Sequence, residues 1–315
     1  MSQFGDRTTE EILSDTLIRG DAALASTVPV LRHLLENDDQ SMFTDEIVAR
    51  VRGMVRHIAR QLLFALAEAA GESDPHAFAE HGFERLTGLL ARDSALLGHA
   101  HTLALEYQLC ERLYARIGLD PVLSPFLRTL FAASGTETSP AEMAVVAAQA
   151  RFCQQQRRME LPLAELPEAL FQSALSALHM PAVDLEQQIV TAAQSQLRAA
   201  FDERASRCGL LTRLVASQNQ TGTPVLEATQ AGVSLFISAL AHATGQDRGS
   251  IVLAICDRQM TRFALSLRAA GLPAAAIETQ FACFHPDAVA PYGFEMVDRE
   301  QAALILSQSA VEIAD

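Results

Sequence analysis

Few side chains in this sequence fall at spacings that chemistry requires. His99 and His101 stand two apart in a helical stretch, so their side chains point about 200° apart and cannot share one metal ion. His99 shares a helix face with Glu106 and Cys110, which reads as a helix carrying partly buried polar groups. His76, Glu80 and Glu84 stack on another face, which reads as solvated. A helical di-iron centre needs Glu-x-x-His pairs on facing helices, and the sequence contains no Glu-x-x-His. It also lacks a dinucleotide fingerprint, a P-loop and a Gly-x-Ser-x-Gly elbow. No catalytic residue, metal or cofactor is therefore expected.

One cationic pattern stands out. Arg52, Arg56 and Arg60 recur every fourth residue, with Arg50 and His57 elsewhere on the polar side of the same helix. Like charges at that spacing disfavour a helix by about 0.2–0.5 kcal/mol per pair, so something compensates them. Carboxylates on a neighbouring helix, or solvent, would do so. The other reading is a docking strip for a protein partner that is acidic or phosphorylated, which the planar guanidinium fork suits.

The elements that position these residues are helices. The 315-residue chain is 49% hydrophobic, Ala and Leu dominate, and period-two alternation never extends far. Thr8 and Glu11 have capping-box spacing at the start of a first helix, with interruptions expected at Gly20-Asp21 and near Pro29. Thr44 opens the longest clean helix, 44–70, whose buried face is Ile47, Val51, Val55, Ile58, Leu62 and Leu66. Helices over 75–90 and 94–117 follow, and Gly118 and Pro121 stop the run. Ser139-Pro140-Ala141-Glu142 signals another helix start. A long helix is expected over 183–217 with a break near Gly209, then a polar linker to Pro224. The stretch 285–293 holds two prolines and a glycine and reads as irregular; a last helix over 298–313 docks through Ala302, Leu304, Ile305 and Val311.

Two segments share landmarks in the same order. Phe126 to Gly135 matches Phe236 to Gly245, Arg151-Phe152 answers Arg262-Phe263, and Leu161-Pro162 answers Leu272-Pro273. Gly suits a helix end with positive φ, and Pro suits the first turn of the next helix. The expectation is an all-α, irregular multi-helix array with two related three-helix units, at about 126–171 and 236–284. Domains are placed at 1–118, at 119–295 with the duplicated unit, and at 296–315 as a C-terminal docking helix.

Net charge is −14 with a pI near 5.1, and all 24 basic residues are arginine. Nucleic-acid binding rests on clustered cations that neutralise phosphates, so that role is disfavoured. Five dispersed cysteines in apolar helical context read as buried thiols of a reducing compartment. No secretory leader and no membrane-spanning run is read, which points to the cytoplasm.

The run LFISALAHATG…ICDRQMTRFALSLRAAGLPAAAIETQF resembles the C-terminal part of a family of uncharacterised all-helical bacterial proteins, mostly alphaproteobacterial. The resemblance covers the last third of the chain and, more loosely, the middle third. It implies a helical, bacterial, cytoplasmic protein and no functional residues to carry over. Two functions are weighed: a non-catalytic scaffold or regulator that binds a protein partner, and a binder of a small molecule or enzyme. The second would use a site between core helices, with His99, Glu106, Tyr107, His242 and the arginine strip as its polar groups.

Overall fold

The structure, a computed structural model, describes residues 9–36, 44–133, 140–179, 187–218, 223–256 and 259–312. Among them the fold is all-α, with fifteen α-helices and no strand. In chain order these are α1 (Thr9–Glu36), α2 (Asp45–Ala70), α3 (Pro75–Leu90), α4 (Ser94–Ile117), α5 (Pro125–Ala133), α6 (Pro140–Arg158), α7 (Glu168–Ser176) and α8 (Gln187–Ala200). Then come α9 (Arg207–Gln218), α10 (Ala228–Ala231), α11 (Val233–Thr244), α12 (Arg248–Cys256), α13 (Met260–Ala269), α14 (Ala274–Phe284) and α15 (Arg299–Glu312). Short 3₁₀ turns at Leu163–Glu165, Glu203–Ala205 and Phe294–Met296 join some of them.

Contacts divide the chain into two compact units, each assembled from separate stretches. The first comprises residues 1–27, 108–142 and 211–315; the second comprises 28–107 and 143–210. This division differs from boundaries at 118 and 295. Gly118, at φ 69°, ends α4 without ending a core.

In the first unit, Phe236, Phe263, Phe281 and Phe284 are all buried, and Phe263 lies 5.1 and 5.7 Å from the Phe281 and Phe284 rings. A second cluster joins Leu13 and Leu17 of α1 to Leu265 of α13 and to Ala302, Ile305 and Leu306 of α15. The last helix thus docks on α13 and α1, though Leu304 points outward and Val311 lies outside the residues whose burial is described. Its start is a capping box: Gln301 N–H donates to Asp298 Oδ1 at 2.8 Å, and Asp298 N–H donates to Gln301 Oε1 at 3.0 Å.

Gly20-Asp21 does not interrupt α1, nor does Pro29. The helix persists because tertiary partners occupy the weak point: Gln259 donates to the Gly20 carbonyl at 2.8 Å, and the Arg262 guanidinium pairs with buried Asp21. In the second unit, α2 buries its predicted face against α3 and α8 and ends on Gly71 in the left-handed region. The expected break near Gly209 falls instead at 201–206, between α8 and α9. Gly209 sits inside α9, where a Cβ would meet the Glu203 carbonyl oxygen at 2.5 Å. Close approach, and not helix termination, selects glycine there.

The two landmark segments do not share one build. Segment 126–171 carries α5, α6 and the start of α7, whereas 236–284 carries α11 through α14. Moreover, α5 belongs to the first unit, while α7 and most of α6 belong to the second. What the segments share is the way a helix ends. Glu160 N–H donates to Gln155 C=O at 2.8 Å after α6, and Leu272 N–H donates to Leu267 C=O at 3.1 Å after α13. Met159 (φ 57°) and Gly271 (φ 91°) hold the left-handed positions of these two Schellman turns. Pro162 and Pro273 then open the next helical turns at φ −65° and −71°. Caps and helical periodicity are local properties; the surface on which a helix packs is not. Gly135, the counterpart of Gly245, lies outside the described residues.

Candidate functional site

Glu106 and Tyr107, which sequence reading offers as ligand groups, lie in the interior of the second unit. Ser206 caps α9: its hydroxyl accepts from Gly209 N–H at 3.2 Å. The next residue, Arg207, donates its backbone N–H to Glu165 at 2.8 Å. Its guanidinium forks onto both oxygens of Glu106 at 2.7 and 3.0 Å, reaches Gln149 at 3.3 Å, and lies 3.7 Å from the Phe152 ring centroid. The side chains are 3% and 0% exposed. Burial is the strongest single influence and acts against the Arg207 charge, but Glu106, Cys208 and Glu165 together outweigh it and hold the pKa above the ordinary arginine value. Tyr107 accepts from Arg157 Nε at 3.1 Å and lies 4.5 Å beneath the Arg50 guanidinium. These charges are committed to one another, so the cluster is architecture.

The other residues singled out from sequence are dispersed. His101 is buried and its pKa is pushed down to about 4 by burial, so it is neutral; His99 is half-buried, and His242 is exposed on α11. Arg56 pairs with Glu84 of α3 at 3.0 Å, and the Arg56 and Arg60 guanidiniums lie 4.5 and 5.5 Å from the Phe83 ring centroid. Arg52 is exposed. His76 sets its ring edge-on to Phe64 at 4.9 Å. Among the described residues, no three His, Cys, Asp or Glu side chains gather as metal ligands.

The features open to a ligand surround α14, in the first unit. Gly271 turns the chain out of α13, and Pro273 starts α14. Ile277, Phe281 and Phe284 anchor its inner face, and Gln280 accepts the buried Ala228 N–H at 2.9 Å. Its outer face mixes alanines with polar groups: Ala275, Glu278, Thr279 and Ala282 are exposed, and Ala274 and Ala276 are half-buried. After α14 the chain runs without helix to Gly293, and this loop displays Val289 and Tyr292, 87% and 89% exposed. Between α14 and the loop lies a groove of about 670 Å³, walled by Ala274, Ala282, Pro286, Val289, Pro291 and Tyr292. Among the described residues, its charged lining is Glu278 and Glu295, with no basic side chain.

A separate recess of about 270 Å³ is lined by Arg112 and Arg116 of α4, Cys256, His285 and Asp287. Pro286 and Ala288 border both recess and groove. From its sequence, 285–293 reads only as irregular. The missed signal was an aromatic and a β-branched residue inside a stretch punctuated by Pro and Gly, where no periodicity demands burial.

No protein family, curated protein or solved structure matches the chain. Among the described residues, no helix is long and apolar enough to cross a membrane.

Proposed function

We propose that this chain is a non-catalytic helical adaptor of the bacterial cytoplasm that holds a protein partner in the groove between α14 and the 285–293 loop. The occupant is an amphipathic helix of the partner, apolar on one face and flanked by Arg or Lys. One observation carries this reading: Val289 and Tyr292 wall a largely apolar groove yet remain almost wholly in water. A small-molecule site buries most of its ligand among enclosed side chains. Here the walls themselves are exposed, as on a surface that another macromolecule completes. Tyrosine is enriched at such surfaces because its ring packs while its hydroxyl stays wet.

Charge and architecture narrow the partner. Among the described residues, Glu278 and Glu295 are the charged groups lining the groove, within a chain of net charge −14, so basic flanks complement it. No sheet edge is available among the described residues for strand addition, which leaves helix-in-groove docking, where an amphipathic helix lays its apolar face into a groove such as that beside α14. The groove supports the reading better than the Arg52, Arg56 and Arg60 row, because Glu84 already meets the Arg56 charge.

The test is selection of peptides from a phage-displayed library on the full chain. The expected binders carry apolar residues at helical spacing with Arg or Lys at the flanks. Tyr292→Ser should weaken them about thirtyfold, matching the ~2 kcal/mol of an interface anchor, while Arg56→Glu should leave binding intact. Selected peptides that ignore Tyr292→Ser together with Val289→Ser would sink the proposal.

A further inference from the structure

The recess beside the groove calls for its own ligand. Arg112 and Arg116 are exposed, lie one turn apart near the C-terminal end of α4, and both line the cavity. Like charges at that spacing repel on a helix. The C-terminal dipole offsets this chiefly in the last turn, where Arg116 sits. Among the described residues, the carboxylate lining the recess is Asp287, so there two guanidiniums face one acid. His285, buried at the end of α14, adds ring nitrogens to the same wall. The positive field extends into the fold: burial raises the Cys283 thiol pKa, and Arg116 acts in the opposite direction. In an acidic chain, an excess of arginine converging on a concave surface marks a place built for an anion.

We infer that this recess is a binding site for a small oxyanion, a phosphate group or a carboxylate, held by Arg112 and Arg116. A volume of about 270 Å³ falls just below the usual range of small-molecule sites, which fits a small anionic metabolite or an anionic side group. The guanidinium fork matches two oxygens of either group, and a pair of forks favours the more highly charged phosphate. Cys256, half-buried in the wall, makes the site observable, because an occupant shields its thiol. The inference stands apart from the helix-binding groove, although Pro286 and Ala288 border both.

The experiment titrates the full chain with inorganic phosphate and, separately, with acetate, at ionic strength held constant with chloride. Calorimetry reads binding, and mass spectrometry reads the alkylation rate at Cys256. Saturable binding of phosphate, of acetate or of both, with matching protection of Cys256, is the expected result, and the stronger arm names the oxyanion. Arg112→Gln and Arg116→Gln should each weaken binding about tenfold, as loss of a charge-assisted contact does, and together abolish it. Tyr292→Ser should leave it unchanged. The exposed arginines allow the variants to fold, which their thermal melts would verify. Absence of saturable binding in both arms, or binding that survives the double substitution, overturns the assignment.

Discussion

Removing the charge of Glu106 while keeping its shape tests whether the interior of the second unit is held as described. In Glu106→Gln the Arg207 guanidinium stays 3% exposed, against Phe152 and within reach of Gln149, but without a counter-charge. Breaking a buried ion pair by deleting one partner costs about 3–5 kcal/mol, most of it the penalty for the orphaned charge. A domain stability of roughly 5–15 kcal/mol leaves such a variant partly unfolded in mild denaturant. Arg207→Met should cost a similar amount at neutral pH, with one difference. Its orphan is a carboxylate at 0% exposure, which escapes the penalty by taking up a proton. Because that carboxylate can take up a proton, the deficit of this variant should begin to shrink as pH falls toward the ordinary carboxylate range, before the wild-type pair itself titrates, whereas that of Glu106→Gln should hold over the same window. The combined Glu106→Leu and Arg207→Met change should recover most of the loss, because an apolar pair of similar volume avoids desolvation altogether. Urea unfolding followed by far-UV circular dichroism measures all four proteins. Single variants within about 1 kcal/mol of wild type, or additive losses in the double variant, would refute the reasoning.

Two further tests address local geometry and pH. His101 has its folded pKa depressed from 6.5 to about 4 by burial, so it contributes stability above pH 6.5 that is lost as pH falls toward 4. The loss should approach ~3 kcal/mol, and His101→Leu should flatten that part of the stability profile. Gly53→Ala and Gly209→Ala should each destabilise the second unit by more than the usual ~1 kcal/mol of a point substitution, as read by thermal melts. Their added methyls would meet the Met159 Cβ and the Glu203 carbonyl oxygen at 2.5 Å.

The helices themselves were legible, because their signals are local. Thr44 and Gly71 bracket α2, and the six predicted apolar positions between them are all buried. Asp298 and Gln301 form the cap of α15. What sequence could not convey is which helices share a core. The Leu-Pro and Gly landmarks recur because helices end in few ways, and their order suggests a repeated unit although α5 and α7 fall in different compact units. Asp21 looked like a breaker because its partner Arg262 lies 241 residues away along the chain. Glu106 looked available because Arg207 could not be placed opposite it. In each case the deciding contact is nonlocal, and Glu106, the one of these offered for function, is already paired.

That outcome bears on where function resides. Interior charges here are met in kind, so the groups open to a partner are those the fold leaves in water at a thermodynamic disadvantage. Tyr292 and Val289 forgo burial that would be worth about 1.5–3 kcal/mol for a side chain of Val size. The loop that carries them is nevertheless pinned at both ends. His285 N–H donates to the Phe281 carbonyl at 2.7 Å, and Phe294 is buried just past Gly293. Gly293 lies so close to Thr9 that a Cβ would meet its methyl at 2.3 Å. A segment held this way cannot turn its apolar side chains inward without breaking those anchors. It also has little freedom left to lose when a partner arrives, so more of the burial energy becomes affinity. Replacing Gly293 by alanine should force the loop off Thr9, and the groove would lose affinity with Tyr292 and Val289 both intact.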